Sequence, residues 1–194
     1  GCGCISATLS NLPDVSNVRP SASSQIYDVH GNLITTVHST ENRLPVPLKD
    51  VPKDLQNAFV ATEDSRFYSH HGIDPVGILR AVWVNIVHSG VSEGGSTITQ
   101  QLARNAFLSQ DRTFKRKISE ALLALKIEQH YTKDEILEMY MNQIYFGQGA
   151  YGVQSAAHVY FGKDASQLTL AQAALIAGSV SYTHLRAHET ELHL

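Results

Sequence analysis

Between Phe114 and His130 an apolar or small side chain returns every third or fourth residue. Phe114, Ile118, Ala121, Leu122 and Leu125 fall along one side of a helix. That period is incompatible with a strand, and signals on either side extend the helical reading over most of the chain. Pro52 suits the first turn of a helix reaching about Thr62. Asp74-Pro75 supplies an N-cap and a proline at the first helical position, opening a helix that Gly90 closes. Thr132 with Glu135, and Thr169 with Gln172, form capping boxes, and the helix after Thr169 is expected to end at Gly178. Ahead of these helices, residues 25–37 alternate like a β-hairpin turning at His30-Gly31-Asn32. Residues 11–24 are polar and carry Pro13 and Pro20, as a linker does, and the prolines of residues 43–52 favour an extended run. The fold class expected is mainly α with a small N-terminal β hairpin.

Composition narrows the function classes. A chain of 194 residues allows one well-packed domain, and 43% hydrophobic with 17% charged residues is the balance of a folded globular protein. The net charge of −3 gives no reason to expect nucleic acid. Basic residues nevertheless gather in residues 104–126, where a local patch for a phosphorylated ligand can form. Cys2 and Cys4 are too close to close a useful loop, so this is no disulfide scaffold. Residues 1–9 form a short apolar run, well under the roughly 20 residues that span a bilayer. They read equally as the trailing end of a membrane helix or as an ordinary tail.

Three segments carry candidate chemistry. In residues 61–74, Glu63 falls at the C-terminal end of a helix, where the dipole disfavours negative charge, with Phe59, Phe67 and Tyr68 nearby. Such surroundings suit a carboxylate that takes protons near neutrality; a solvated acidic turn is the plainer reading of the same residues. His70 and His71 read by default as capping or packing histidines. Residues 94–105 run from a glycine pair through Ser96 and Thr97 into a helix lined by Gln100, Gln101 and Arg104. A helix start of this kind can hold an anion or sugar hydroxyls, although a plain loop-to-helix junction looks the same. In residues 112–120, Arg116, Lys117 and Glu120 share a helical face turned away from the apolar stripe. That face is either solvated and ion-paired or a grip for pyrophosphate, which guanidinium groups hold in bidentate fashion.

The order of the segments resembles glycosyltransferase family 51, the peptidoglycan glycosyltransferase domain of class A penicillin-binding proteins and of monofunctional transglycosylases. The resemblance rests on Glu63-Asp64-Ser65-Arg66-Phe67 with His70 and Gly72, then Gly94-Gly95-Ser96-Thr97-Ile98-Thr99-Gln100-Gln101, then Arg116-Lys117 with Glu120. Lys133 to Asn142, and Tyr151 through Phe161-Gly162, add two further motifs in the family's order. The resemblance implies a lysozyme-like bilobal fold that polymerises lipid II into glycan strands, inverting the anomeric carbon and releasing undecaprenyl pyrophosphate. It implies Glu63 as the base and Glu120 as the second carboxylate. Arg104, Arg112, Arg116 and Lys117 then meet the pyrophosphate, and Ser96, Thr97, Gln100 and Gln101 line the donor side. No metal ligand set is visible; Mg²⁺ bridging pyrophosphate oxygens is the one cofactor implied. The implied partners are lipid II, the growing strand, the bacterial membrane on its extracytoplasmic (periplasmic) face, and a transpeptidase domain or division and elongation proteins.

Three divisions follow: residues 1–24 as a truncated anchor end and linker, 25–178 as the glycosyltransferase domain, and 179–194 as a non-native or frame-shifted tail. The hairpin segment favours a bifunctional parent, while this chain carries no penicillin-reactive serine motif. Two competing functions stay open: a lysozyme-like glycan hydrolase, and a non-catalytic fragment that binds lipid II. The basic run between the two carboxylates argues against the hydrolase, which has no pyrophosphate to hold.

Overall fold

In the computed structural model, the described residues are 13–16, 24–27, 33–37, 42–87, 95–108 and 114–189. Two compact units emerge, one of Gly1–Val18 with Glu63–Tyr140 and the other of Arg19–Thr62 with Met141–Leu194. Helix dominates both, in keeping with the mainly α class expected.

In the second unit, β1 (Ser24–Tyr27) and β2 (Leu33–Val37) pair antiparallel, Ser24 opposite Val37, in the expected hairpin. The residues of its expected turn lie outside the described ones. Helix α1 (Lys53–Glu63) starts directly after Pro52, whose carbonyl accepts from the Leu55 and Gln56 amides. Its Leu55 and Phe59 are fully buried, with Phe59 edge-on to Phe146 at 5.9 Å. Gln56, also buried, donates to the carbonyls of Leu48 and Val51 and so satisfies the turn before the helix. Two short strands, β3 (Asn42–Arg43) and β4 (Ala150–Tyr151), pair in parallel. Asn142 exchanges hydrogen bonds with the Val46 backbone in both directions, at 2.9 and 2.8 Å. Beyond β4, α6 (Val153–Phe161) ends at Gly162 in the left-handed region.

Helix α7 (Leu170–Glu189) opens on the expected Thr169–Gln172 capping box but does not stop at Gly178. A single interior glycine costs a helix only about 1 kcal/mol. Here Ala173, Ile176, Ala177 and Val180 are all buried, and that packing carries the helix through.

The first unit holds α2 (Pro75–Val87), α3 (Ile98–Phe107), α4 (Phe114–His130) and the start of α5 (Lys133–Gln143). Helix α2 begins at Pro75 as expected; residue 90, its expected end, lies outside the described residues. The Thr132–Glu135 box opens α5, the Thr132 amide donating to Glu135 at 2.7 Å. The α3–α4 packing corrects the expected stripe. Leu123, Ala124 and Ile127 are fully buried, whereas Ile118 and Leu125 are 37% and 38% exposed. The inward face of α4 also carries Glu120, so the helix is turned from the orientation its apolar period suggests. Each fully buried leucine or isoleucine contributes about 1.5–3 kcal/mol, yet that gain did not bring Ile118 inside. Residues 13–16 are pinned to the same unit by Lys126 donating to the Pro13 carbonyl and Tyr131 to that of Val15.

Candidate active site

Every described residue singled out by the sequence for chemistry falls in the first unit; Arg112 lies outside the described residues. Glu63 is the last residue of α1 and is half-buried, as its position before a polar loop suggests. The Gln101 amide, one turn into α3, donates to its Oε2 at 3.1 Å. The other end of that amide faces α5, where the Tyr140 hydroxyl donates to Gln101 Oε1 at 3.3 Å. Tyr140 is buried, and burial first, then the charge of Glu63, pushes its phenol well above the ordinary tyrosine range; Arg104 opposes the shift.

Asp64 does something that sequence reasoning missed. Its side chain turns inward, accepting from His70 Nε2 at 2.9 and 3.0 Å and from the Ile98 amide at 3.0 Å. A helix N-terminus leaves amides unsatisfied and attracts negative charge. At α3 that charge is the protein's own Asp64, whose carboxylate accepts from the Ile98 amide at the helix start. Thr97 accepts from the Gln100 amide, and Gln100 Oε1 accepts from the Thr97 amide, completing a capping box. Both side chains are buried, and Thr97 also donates to the Gly72 carbonyl at 2.6 Å. The structure thus puts Thr97 and Gln100 to work shaping the segment. The signal for Asp64 was present all along: an acidic residue directly after Glu63 with a histidine six residues on.

Gly72 locks the loop against α4. Its φ is +85°, and an added Cβ would lie 2.9 Å from the backbone of Ala124, so only glycine fits. Behind the loop, Glu128 accepts from Thr99 and from Lys133, each at 2.7 Å. The Lys133 ammonium also lies over the Phe67 ring, 4.4 Å from its centre.

The charged face of α4 is partly turned inward. Glu120, only 1% exposed, lies 3.2 Å from Arg116 Nε and 2.9 Å from Lys117 Nζ. Lys117 donates onward to Ser96 at 2.6 Å, tying α4 to the residue before the α3 cap. Arg104 sits half-buried in the last turn of α3, with no ion-pair partner among the described residues. A cation at this turn is favoured by the helix dipole. Both Glu120 oxygens already face cations, and the described residues hold no cluster of three His, Cys, Asp or Glu. These side chains do not fit as a ligand set for a divalent ion.

The buried Glu120 with its two cations and the half-buried Glu63 thus lie in one unit. A family model described as transglycosylase matches residues 30–192, beyond the point near Gly178 where the resemblance was expected to stop. The chain belongs to the transglycosylase family. It is 56% identical over 170 residues to penicillin-binding protein 1A of Escherichia coli (strain K12), covering 86% of this chain and 20% of that protein. It is 51% identical over 156 residues to penicillin-binding protein 1F of Bacillus subtilis (strain 168), covering 80% of this chain and 22% of that protein. Penicillin-binding protein 1A of Aquifex aeolicus (strain VF5) is 51% identical over 170 residues, 86% of this chain and 23% of that protein. The chain therefore spans about a fifth of the length of these curated relatives.

Proposed function

We propose that the domain polymerises lipid II into peptidoglycan glycan strands. Glu63 removes the proton from the acceptor's 4-hydroxyl as that oxygen attacks the anomeric carbon of the donor. The bond to the α-linked pyrophosphate breaks on the opposite face, the configuration inverts, and undecaprenyl pyrophosphate leaves. One observation carries this reading: Glu120 holds Arg116 and Lys117 together, with Arg104 on the adjoining helix, in the unit that contains Glu63. Preorganised cations stabilise charge that builds on a leaving group, and pyrophosphate is the leaving group this set fits. Arg112 joins them on the strength of the family motif. Ser96 and Gln101 face the donor side, with Thr97 and Gln100 shaping it from behind. A divalent cation such as Mg²⁺ would screen the pyrophosphate charge without a ligand set from the described side chains.

The substrate's lipid fixes the location. Helix α2 exposes Leu79, Trp83 and Ile86 by 70%, 70% and 69%, an apolar surface that lipid would cover. Among the described residues no helix is long and apolar enough to cross a membrane. The domain accordingly works against the extracytoplasmic face of the bacterial membrane, in a longer polypeptide that also carries a transpeptidase domain. The relatives' own names, penicillin-binding proteins, support the latter.

The test is Glu63→Gln in the full-length, membrane-reconstituted protein with labelled lipid II. Polymerisation should fall by at least about 10²-fold, the low end of what a general base supplies. Undiminished polymer would reject Glu63 as the base. Cleavage of preformed glycan without polymer would support a hydrolase, and binding without turnover a non-catalytic module.

A further inference from the structure

The segment from Lys133 to Asn142 carries part of the family resemblance, yet the proposed chemistry makes no use of its first residue. Lys133 opens α5, and its side chain is only 19% exposed. An ammonium so far out of water needs a partner. Glu128 supplies one at 2.7 Å, and the same Glu128 oxygen accepts from the Thr99 hydroxyl at 2.7 Å. That pair would by itself settle the charge. The ammonium is nevertheless also set over the Phe67 ring, 4.4 Å from its centre, where the negative face of the ring attracts it. Phe67 is fully buried, and its amide donates to the Asp64 carbonyl at 2.9 Å, closing the turn that begins directly after Glu63. The Asp64 carboxylate is tied to the Ile98 amide and to His70. The loop that follows Glu63 is thus held at Asp64 from α3 and at Phe67 from α5.

We infer that Lys133 is a positioning residue for the base: aimed by Glu128, its ammonium holds the Phe67 ring and so fixes the turn from which Glu63 projects. The inference rests on the reading of Glu63 as the base. It gives the effect a direction. A turn free to open at Phe67 lets the Glu63 carboxylate drift from the acceptor hydroxyl, which costs turnover. Arg116 and Lys117 keep their Glu120 partner, so binding of the pyrophosphate is spared.

Lys133→Met keeps the stem and removes the charge. In full-length protein reconstituted in membranes, kcat for lipid II polymerisation should fall about tenfold, within the cost of a small misplacement, while KM stays within about twofold. Lys133→Arg should restore kcat to within about threefold of the parent, since a guanidinium both pairs with a carboxylate and lies on an aromatic face. Lys133→Met also takes from Glu128 its ammonium partner and leaves a buried charge, so stability must be separated from position. The double variant Lys133→Met/Glu128→Gln removes that charge and keeps an oxygen for Thr99; its melting temperature should recover while its kcat stays low. Recovery of both overturns the inference, because Lys133 then serves only to neutralise Glu128. A trifluorinated phenylalanine at position 67 drains the negative face of the ring and nearly keeps its shape. There kcat should fall part of the way, and an unchanged kcat in this variant or in Lys133→Met also overturns the inference. Glu63→Gln, run alongside, separates the two readings. If it polymerises normally the base assignment falls and this inference with it; if it is inactive while Lys133→Met is normal, only the inference falls.

Discussion

Helix α2 and the α3–α4 pair belong to one unit and break the usual inside–outside pattern in opposite directions. Helix α2 is the more apolar, yet Leu79, Trp83 and Ile86 are largely exposed and only Ala81 is buried along it. In α3 and α4, Thr99, Gln100, Gln101 and Glu120 are buried, while Ile118 and Leu125 reach the surface. Burial thus does not follow hydrophobicity in either region. In α3 and α4, Thr99, Gln100 and Gln101 hydrogen-bond named partners and Glu120 faces two cations, which offsets much of the cost of burying them. Helix α2 has the reverse problem, an apolar face left exposed. On the proposed function, the polar interior serves the reaction and the apolar exterior the membrane surface where it happens.

Four experiments put pressure on that contrast. The largest effect is expected from Glu120→Ala, which strips Arg116 and Lys117 of their shared carboxylate. Lipid II turnover should fall about 100-fold. Chemical denaturation should report about 2–3 kcal/mol of lost stability, less than for a fully buried pair because Lys117 reaches solvent. Retained turnover would reduce the buried charge to a packing feature.

Asp64→Ala comes next. It leaves the Ile98 amide and His70 Nε2 without their acceptor, which should cost about 2–3 kcal/mol and appear as a lower denaturation midpoint. A midpoint equal to the parent's would show that the α3 start needs no internal anion.

Trp83→Ser should leave the melting temperature almost unmoved, as exposed substitutions do, and lower affinity for anionic lipid vesicles roughly tenfold. A clear fall in melting temperature with unchanged vesicle binding would mean that α2 is covered by protein, and the contrast would fail.

Smallest is the response of an exposed cap. The backbone amide of Thr132, then its hydroxyl, holds the Glu135 carboxyl below its usual range. A carboxyl depressed in the folded state stabilises fully above its unfolded value, near 4.3, and that contribution is lost as pH falls through the folded value. Glu135→Gln should therefore flatten a small part of the acid limb of stability below about pH 4.3, and change nothing at neutrality that polymerisation detects.

Where the sequence was informative, the chemistry was local. Thr132 with Glu135 and Thr169 with Gln172 cap the helices they announced, and Pro75 opens α2, because caps involve neighbours within one turn. The α4 face was misread for a physical reason. A helical period shows that two faces differ but not which one is inside, and Arg116, Lys117 and Glu120 look the same on a wheel whether solvated or clamped. Asp64 and Tyr140 escaped because their partners are 34 and 39 residues away, beyond any local pattern. Gly178 misled in the other direction, its punctuation outweighed by buried neighbours on the same helix.

One position joins these lessons. At Gly72 the loop that follows Glu63 touches the α4 backbone and receives the Thr97 hydroxyl, with no side chain of its own. Three segments far apart in the gene are held in register there by the absence of an atom. Most sites in a protein can drift, with losses made good by a new contact elsewhere. This one has no such latitude, because any methyl group would part the loop from α4 and shift the α3 cap in the same stroke. For a lineage carrying this domain, the codon behaves as a fuse, intact or blown, rather than as a dial.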